Sequence, residues 1–329
     1  MKIMRNRKRY FLIGAVVIVA AVLIAVEYRA IQAKPLKIIY VSKSADESDF
    51  WSMLIEGASM AADEKDAELE VVAPEKENDI ARQNELIAEA IQKKPDAIVL
   101  APADYVKTLS AARKIKSHGI KLVLIDSVLE KDIADAVITT DNVAAGEIMG
   151  LYASKLCEEQ DGIGIVSHVK GASTAIDRES GFRKGLKDKS GNVVETVFSD
   201  SSYSHGYEVT KEMLLAHPEI TLVAGLNEYS TVGAGRAIKD MGLSGKVKIV
   251  GFDNSIEEIQ MLESGLVNSI VIQKPFDMGY LGVKTAIALA NHETPKATVD
   301  SGSKLIVREN IYTKENQKLL FPFHEKNKY

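Results

Sequence analysis

Short apolar runs that end in polar residues alternate along this chain with stretches of helical spacing. The first set is 37–42 (KIIYVS), 97–102 (AIVLAP), 121–126 (KLVLID) and 136–141 (AVITTD). The second is 162–168 (GIGIVSH), 222–228 (LVAGLNE), 246–253 (KVKIVGFD) and 268–275 (NSIVIQKP). Between them, apolar residues at 51, 54, 55, 58, 61 and 62 repeat with the period of a helix. Further helices are expected near 80–92, 106–117, 144–157, 175–187, 206–216, 230–241, 255–264 and 277–291, and further strands at 70–73 and 304–307. Continuous apolar strands separated by helices mean parallel sheets covered on both faces. The pattern restarts near residue 141, and 329 residues exceed one ordinary domain. The expected fold is therefore α/β, with two Rossmann-like lobes built on parallel sheets and joined by a multi-strand hinge. The first lobe takes 36–140 plus about 274–302, and the second takes 141–273 plus about 303–320. In sheets of this kind ligands bind beyond the carboxyl ends of the strands, which here carry the polar residues. A site between two such lobes is a cleft that closes by hinge rotation.

The net charge of −5 gives no reason to expect nucleic acid binding. Its distribution is uneven, because Lys2, Arg5, Arg7, Lys8 and Arg9 crowd the first ten residues. An uncharged run of 17 residues follows at 10–26. Basic head and apolar run read as a secretory signal or a single membrane anchor. The length and the charged flank at Glu27 and Arg29 favour an uncleaved anchor within 1–33. Either reading sends the rest of the chain outside the cytoplasm. The single cysteine, Cys157, can make no internal disulfide and reads as a small buried apolar side chain.

Motifs for catalysis are missing. No phosphate-binding glycine loop follows the first strand, and no Gly-x-Ser-x-Gly elbow occurs. The six histidines lack metal-site spacing. The expectation is a binding protein that needs no cofactor or metal and is not an enzyme.

The strand-end residues Asp126, Asn227, Asp253 and Gln273 combine carboxylates and amides, which accept from and donate to hydroxyls. Phe50 and Trp51 open the first helix beside the same sheet. Neighbouring helix positions diverge by about 100°, so the two aromatics cannot share one core direction. Apolar ring faces together with hydroxyl partners suit a sugar. The competing role for the two aspartates is helix N-capping.

The ordered set Phe50-Trp51, Ile125-Asp126, Thr140-Asp141-Asn142, 172–182 (ASTAIDRESGF), Leu226-Asn227-Glu228, 250–253 (VGFD) and 272–275 (IQKP) resembles the type I periplasmic sugar-binding proteins of the ribose-binding family. The likeness runs from Leu36 to about Val307. It implies that Phe50 and Trp51 sandwich a sugar ring. It also implies that Asp126, Arg178, Asn227, Asp253 and Gln273 hydrogen-bond its hydroxyls, with Tyr203 as the second-lobe aromatic. The chain departs from ribose binders at Ser127, where they carry arginine, and in the acidic stretch 42–49 (SKSADESD). The ligand implied is a monosaccharide of pentose type. With an anchor and no lipid-attachment cysteine near it, the expected partner is a membrane sensor kinase that reads lobe closure. The alternative is service as the binding component of a sugar ABC transporter, delivering to its permease. The expected location is the cell membrane, as a single-pass protein with its soluble part outside. A LacI-type repressor shares the fold but carries a DNA-binding head that this chain replaces with an apolar run.

Overall fold

The computed structural model describes residues 34–46 and 48–320. The chain begins with β1 (Lys37–Val41), α1 (Asp49–Glu64), β2 (Glu68–Val72), α2 (Ile80–Gln92), β3 (Ala97–Leu100), α3 (Leu109–Ser117), β4 (Lys121–Ile125) and β5 (Ala136–Thr139). It continues with α4 (Asn142–Leu156), β6 (Gly162–Ser167), α5 (Ser173–Leu186), β7 (Val193–Phe198), α6 (Tyr203–Ala216), β8 (Ile220–Gly225), α7 (Glu228–Asp240), β9 (Lys248–Phe252), α8 (Ile256–Ser264) and β10 (Ser269–Ile272). It closes with α9 (Pro275–Ala290), β11 (Thr298–Asp300), β12 (Lys304–Val307) and α10 (Lys314–Leu320).

Two six-stranded sheets result, in the orders β11-β5-β4-β3-β1-β2 and β12-β10-β9-β8-β6-β7. The first is parallel throughout. The second is parallel except where β12 runs against β10. Central strands such as β1, β3 and β6 are buried along their full length or nearly so, as sheets covered on both faces require. In each sheet the strand order reverses beside the first strand of its lobe, β1 in one and β6 in the other. Those reversals open the crevices where ligands of such sheets sit.

Two strands were not anticipated. β7 lies at a sheet edge and is mostly half-buried, and β11 is a three-residue edge strand. Neither carries the continuous apolar run that marks the interior strands. The strand Ser269–Ile272 pairs inside the second sheet, and the return to the first lobe starts after it.

The chain passes between the two sheets three times, after β5, after β10 and between β11 and β12. Two of these crossings are laced together. Thr140 Oγ1 lies 3.1 Å from Ser301 Oγ, the Ser301 N–H donates to the Thr139 carbonyl at 2.8 Å, and the Asp141 N–H donates to Asp300 Oδ1 at 3.1 Å.

Glycines bring the helices that carry the site into backbone contact with their neighbours. A Cβ on Gly57 of α1 would collide with the Phe276 carbonyl of α9, and one on Gly279 of α9 would collide with the Leu54 carbonyl. In the second lobe, Gly146 of α4 meets the Arg178 carbonyl of α5, and Gly181 meets the Val143 carbonyl. The close approach fixes where α1 and α5 begin.

Candidate functional site: an enclosed cavity between the lobes

Thirteen residues line a small cavity where the two sheets face each other. From the first lobe come Lys43 after β1, Phe50 and Trp51 at the start of α1, Glu77 before α2, and Asp126 after β4. From the second come His168, Thr174, Arg178, Asn227, Glu228, Tyr229, Asp253 and Gln273. Seven of the eight side chains singled out from the sequence thus face one space. Tyr203 does not line it. Its ring lies 4.7 Å from that of Tyr229, which does, tilted by 44°, and its hydroxyl donates to Glu228 Oε1.

The aromatic wall is made by Phe50 and Trp51, set edge to face at 5.0 Å and 86°. Ser48 caps the helix beneath them by accepting the Trp51 N–H. Trp51 is only 2% exposed.

Asp126 and Asp253 both hold left-handed backbone, with φ of 62° and 83°. Non-glycine residues adopt this region at some cost, and aspartate is among those that tolerate it best. Neither acts as a helix cap. That role falls to Asn227, whose Oδ1 accepts the Ser230 N–H at 3.0 Å while its Nδ2 donates to Ser201 Oγ at 3.2 Å. Asp253 accepts from Gln273 Nε2 at 2.6 Å and from the Glu228 N–H at 3.0 Å. Burial pushes its carboxyl up, and the Arg178 guanidinium opposes that shift.

Arg178 is buried rather than paired at the surface. Its Nε donates to Asn142 Oδ1 at 2.8 Å and its Nη1 to the Leu226 carbonyl at 2.9 Å, with the guanidinium 3.9 Å from the Phe252 ring. Beside it, burial first, then the positive charges of Arg178 and Lys43, hold His168 well below the usual histidine range. The imidazole is therefore neutral.

Lys43 escaped the sequence reading. It is 2% exposed, and its Nζ lies 2.6 Å from Asp126 Oδ2 and 3.8 Å from Glu77 Oε1. It places a cation against Asp126 from just beyond β1. Ser127 itself donates to Asp126 Oδ2 at 2.8 Å. The strand-end rule that picked out Asp126 and Asp253 applies equally to Lys43, two residues past β1. Glu228 and Tyr229 adjoin Asn227 and are legible in the same way. Glu77 sits in an irregular connection with no such signal.

Two oxygens in this cavity meet no protein partner, Gln273 Oε1 and Glu228 Oε2. Buried polar atoms are rarely left so. Above the cavity the lobes touch. Tyr229 donates through its hydroxyl to Asp46 Oδ2, the Ile256 N–H donates to Asp49 Oδ2 at 2.9 Å, and the Val128 N–H donates to Ser173 Oγ at 2.9 Å. The cleft is thus closed. Among the described residues no group of His, Cys, Asp and Glu could hold a metal ion.

The family model for the periplasmic binding protein domain matches residues 38–294. The ribose import binding protein of Bacillus subtilis is 25% identical over 267 residues, covering 81% of this chain and 86% of that protein. Among solved structures, a sugar transporter from Clostridium phytofermentans superposes with a TM-score of 0.79 at 47% identity, covering 83% of this chain and 99% of that one. An ABC transporter solute binding protein from Agrobacterium vitis, with bound D-fucose, gives a TM-score of 0.81 at 30% identity, covering 87% and 100%.

These relatives correct the expected location. They are importer and transporter binding proteins, which gives no support to a single-pass protein of the cell membrane. No helix among the described residues is long and apolar enough to cross a membrane. The apolar run at 10–26 and the tail beyond residue 320 lie outside the described residues.

Proposed function

This chain belongs to the periplasmic binding protein domain family, and on that premise we propose that it is the substrate-binding component of a sugar ABC transporter. It holds one pentose-sized monosaccharide between its lobes and delivers it to a permease. One observation carries this reading. A small closed cavity joins two aromatic faces to a ring of carboxylate, amide and guanidinium groups, and leaves Gln273 Oε1 without a partner. Sugar C–H faces fit Phe50 and Trp51, while hydroxyls fit Asp126, Arg178, Asn227, Asp253 and Gln273. Tyr203 acts at one remove, through Glu228 and Tyr229. Relatives named for ribose import and for D-fucose binding support the same class.

Relay to a sensor kinase rested on the membrane anchor. With the expected location corrected, transport is the better-supported partner.

A thermal-shift screen of the full chain against pentoses, hexoses, deoxysugars and polyols tests the reading. A bound sugar stabilises by RT ln(1 + [L]/Kd), about 4 kcal/mol at a thousandfold excess over Kd. A shift with one sugar identifies the cargo. Silence across the panel rejects a monosaccharide ligand.

A further inference from the structure

We propose that Glu228 contacts the bound sugar as a neutral carboxylic acid, donating its Oε2–H to an acceptor oxygen such as that of the pyranose ring. This rests on the monosaccharide reading above and assigns a donor to that site.

Glu228 is 2% exposed and lines the cavity. Its two oxygens are not equivalent. Oε1 accepts from the Tyr203 hydroxyl, whereas Oε2 meets no protein partner. In a protonated carboxyl the accepting oxygen is the carbonyl one, so the hydroxyl falls on Oε2. A buried hydroxyl without an acceptor needs one from the ligand.

The surroundings oppose ionisation. Asp253 accepts Glu228's own N–H. On α8, Glu258 is fully buried, and one of its oxygens, Oε1, is unpartnered. Asp49 of α1 adds a second negative charge to that of Asp253. The cavity's cations are engaged elsewhere, Lys43 with Asp126 and Glu77, and Arg178 with Asn142 and Leu226. The groups favouring the anion are the Tyr203 hydroxyl and the Phe50 N–H. Burial outweighs both, and the Glu228 carboxyl is pushed up to about 7. Burial first, then the neighbouring carboxyls of Glu228 and Asp253, holds Glu258 well above the ordinary carboxylate range.

A sugar that needs this proton binds more weakly once the proton leaves. The test titrates the full chain with D-ribose, D-xylose, D-arabinose, D-fucose and D-glucose from pH 5.5 to 8.5, following Trp51 fluorescence and calorimetry. For whichever sugar binds, the expected Kd is flat below about pH 7 and rises by about tenfold per pH unit above it. Glu228→Gln, which keeps an N–H donor and cannot ionise, is expected to flatten the profile. Glu228→Ala weakens binding at every pH. Difference infrared spectra at pH 6 supply a ligand-free readout, in which the protonated-carboxyl stretch is lost in Glu228→Gln. A flat wild-type profile, an unchanged profile in Glu228→Gln, or no lost band overturns the inference while leaving the monosaccharide reading intact. No binding of any sugar at any pH overturns both.

Discussion

Asp126 and Asp253 occupy matching places in the two lobes, each one residue past the strand that precedes it and each with left-handed backbone. They face one cavity from opposite sides, yet their partners differ in kind. Asp126 is held by the Lys43 ammonium and Asp253 by the Gln273 amide. One carboxylate is thus charge-compensated and the other is mainly hydrogen-bonded.

Replacing either aspartate with alanine is expected to cost about 2–4 kcal/mol of sugar binding, since a charged partner is lost and its neighbour is left unpaired. Asparagine, which also tolerates the left-handed region, preserves the fold better at both positions. Calorimetry showing unchanged affinity for both alanine variants would remove these residues from the site.

Lys43→Met leaves Asp126 and Glu77 buried without their cation. The expected destabilisation is about 3–5 kcal/mol, read by urea unfolding. Adding Asp126→Asn relieves the uncompensated charge, so the double variant is more stable than Lys43→Met alone. Simple additivity would show that the pair does not act as one unit.

The Tyr229–Asp46 contact fastens one lobe to the other over the cavity. Tyr229→Phe removes one hydrogen bond of the closed state and should weaken sugar binding by about 0.5–1.5 kcal/mol. The change belongs in the release rate, measured by stopped-flow fluorescence of Trp51. An unaltered release rate would mean that closure does not depend on this contact.

Stability should also depend on pH through Glu228. Its folded-state value, about 7, lies above its ordinary 4.5. The folded state therefore binds the proton more tightly than the unfolded chain does. Stability from this source is full below about pH 4.5 and is lost as pH rises through 7. His168 acts in the opposite sense, because burial depresses it and folding weakens as pH falls below its ordinary range. Comparing wild type with Glu228→Gln at each pH isolates the first effect. Parallel curves between pH 5 and 7.5 would contradict it.

The interior of each lobe was legible because buried parallel strands write themselves as unbroken apolar runs. Helix α2 and strand β12 fall at the anticipated residues. Edge strands β7 and β11 lack that signature, β7 being mostly half-buried and β11 only three residues long. Site residues at strand ends, such as Asp253 and Gln273, were visible because topology alone points them at the crevice. Lys43 was hidden by its company, a serine-rich acidic stretch that reads as solvated loop until burial shows otherwise. Tyr203 rests on a loose match, and Tyr229, which adjoins the strand-end residue Asn227, lines the cavity instead. The glycine contacts between α1 and α9 were equally silent, since close approach of two backbones leaves no periodic mark.

The three chain crossings between the sheets behave like the knuckles of a door. Two of them are tied through Thr140 and Ser301, so neither can shift without loading the other. A rotation of one lobe against the other would therefore be felt in both strands of the hinge at once.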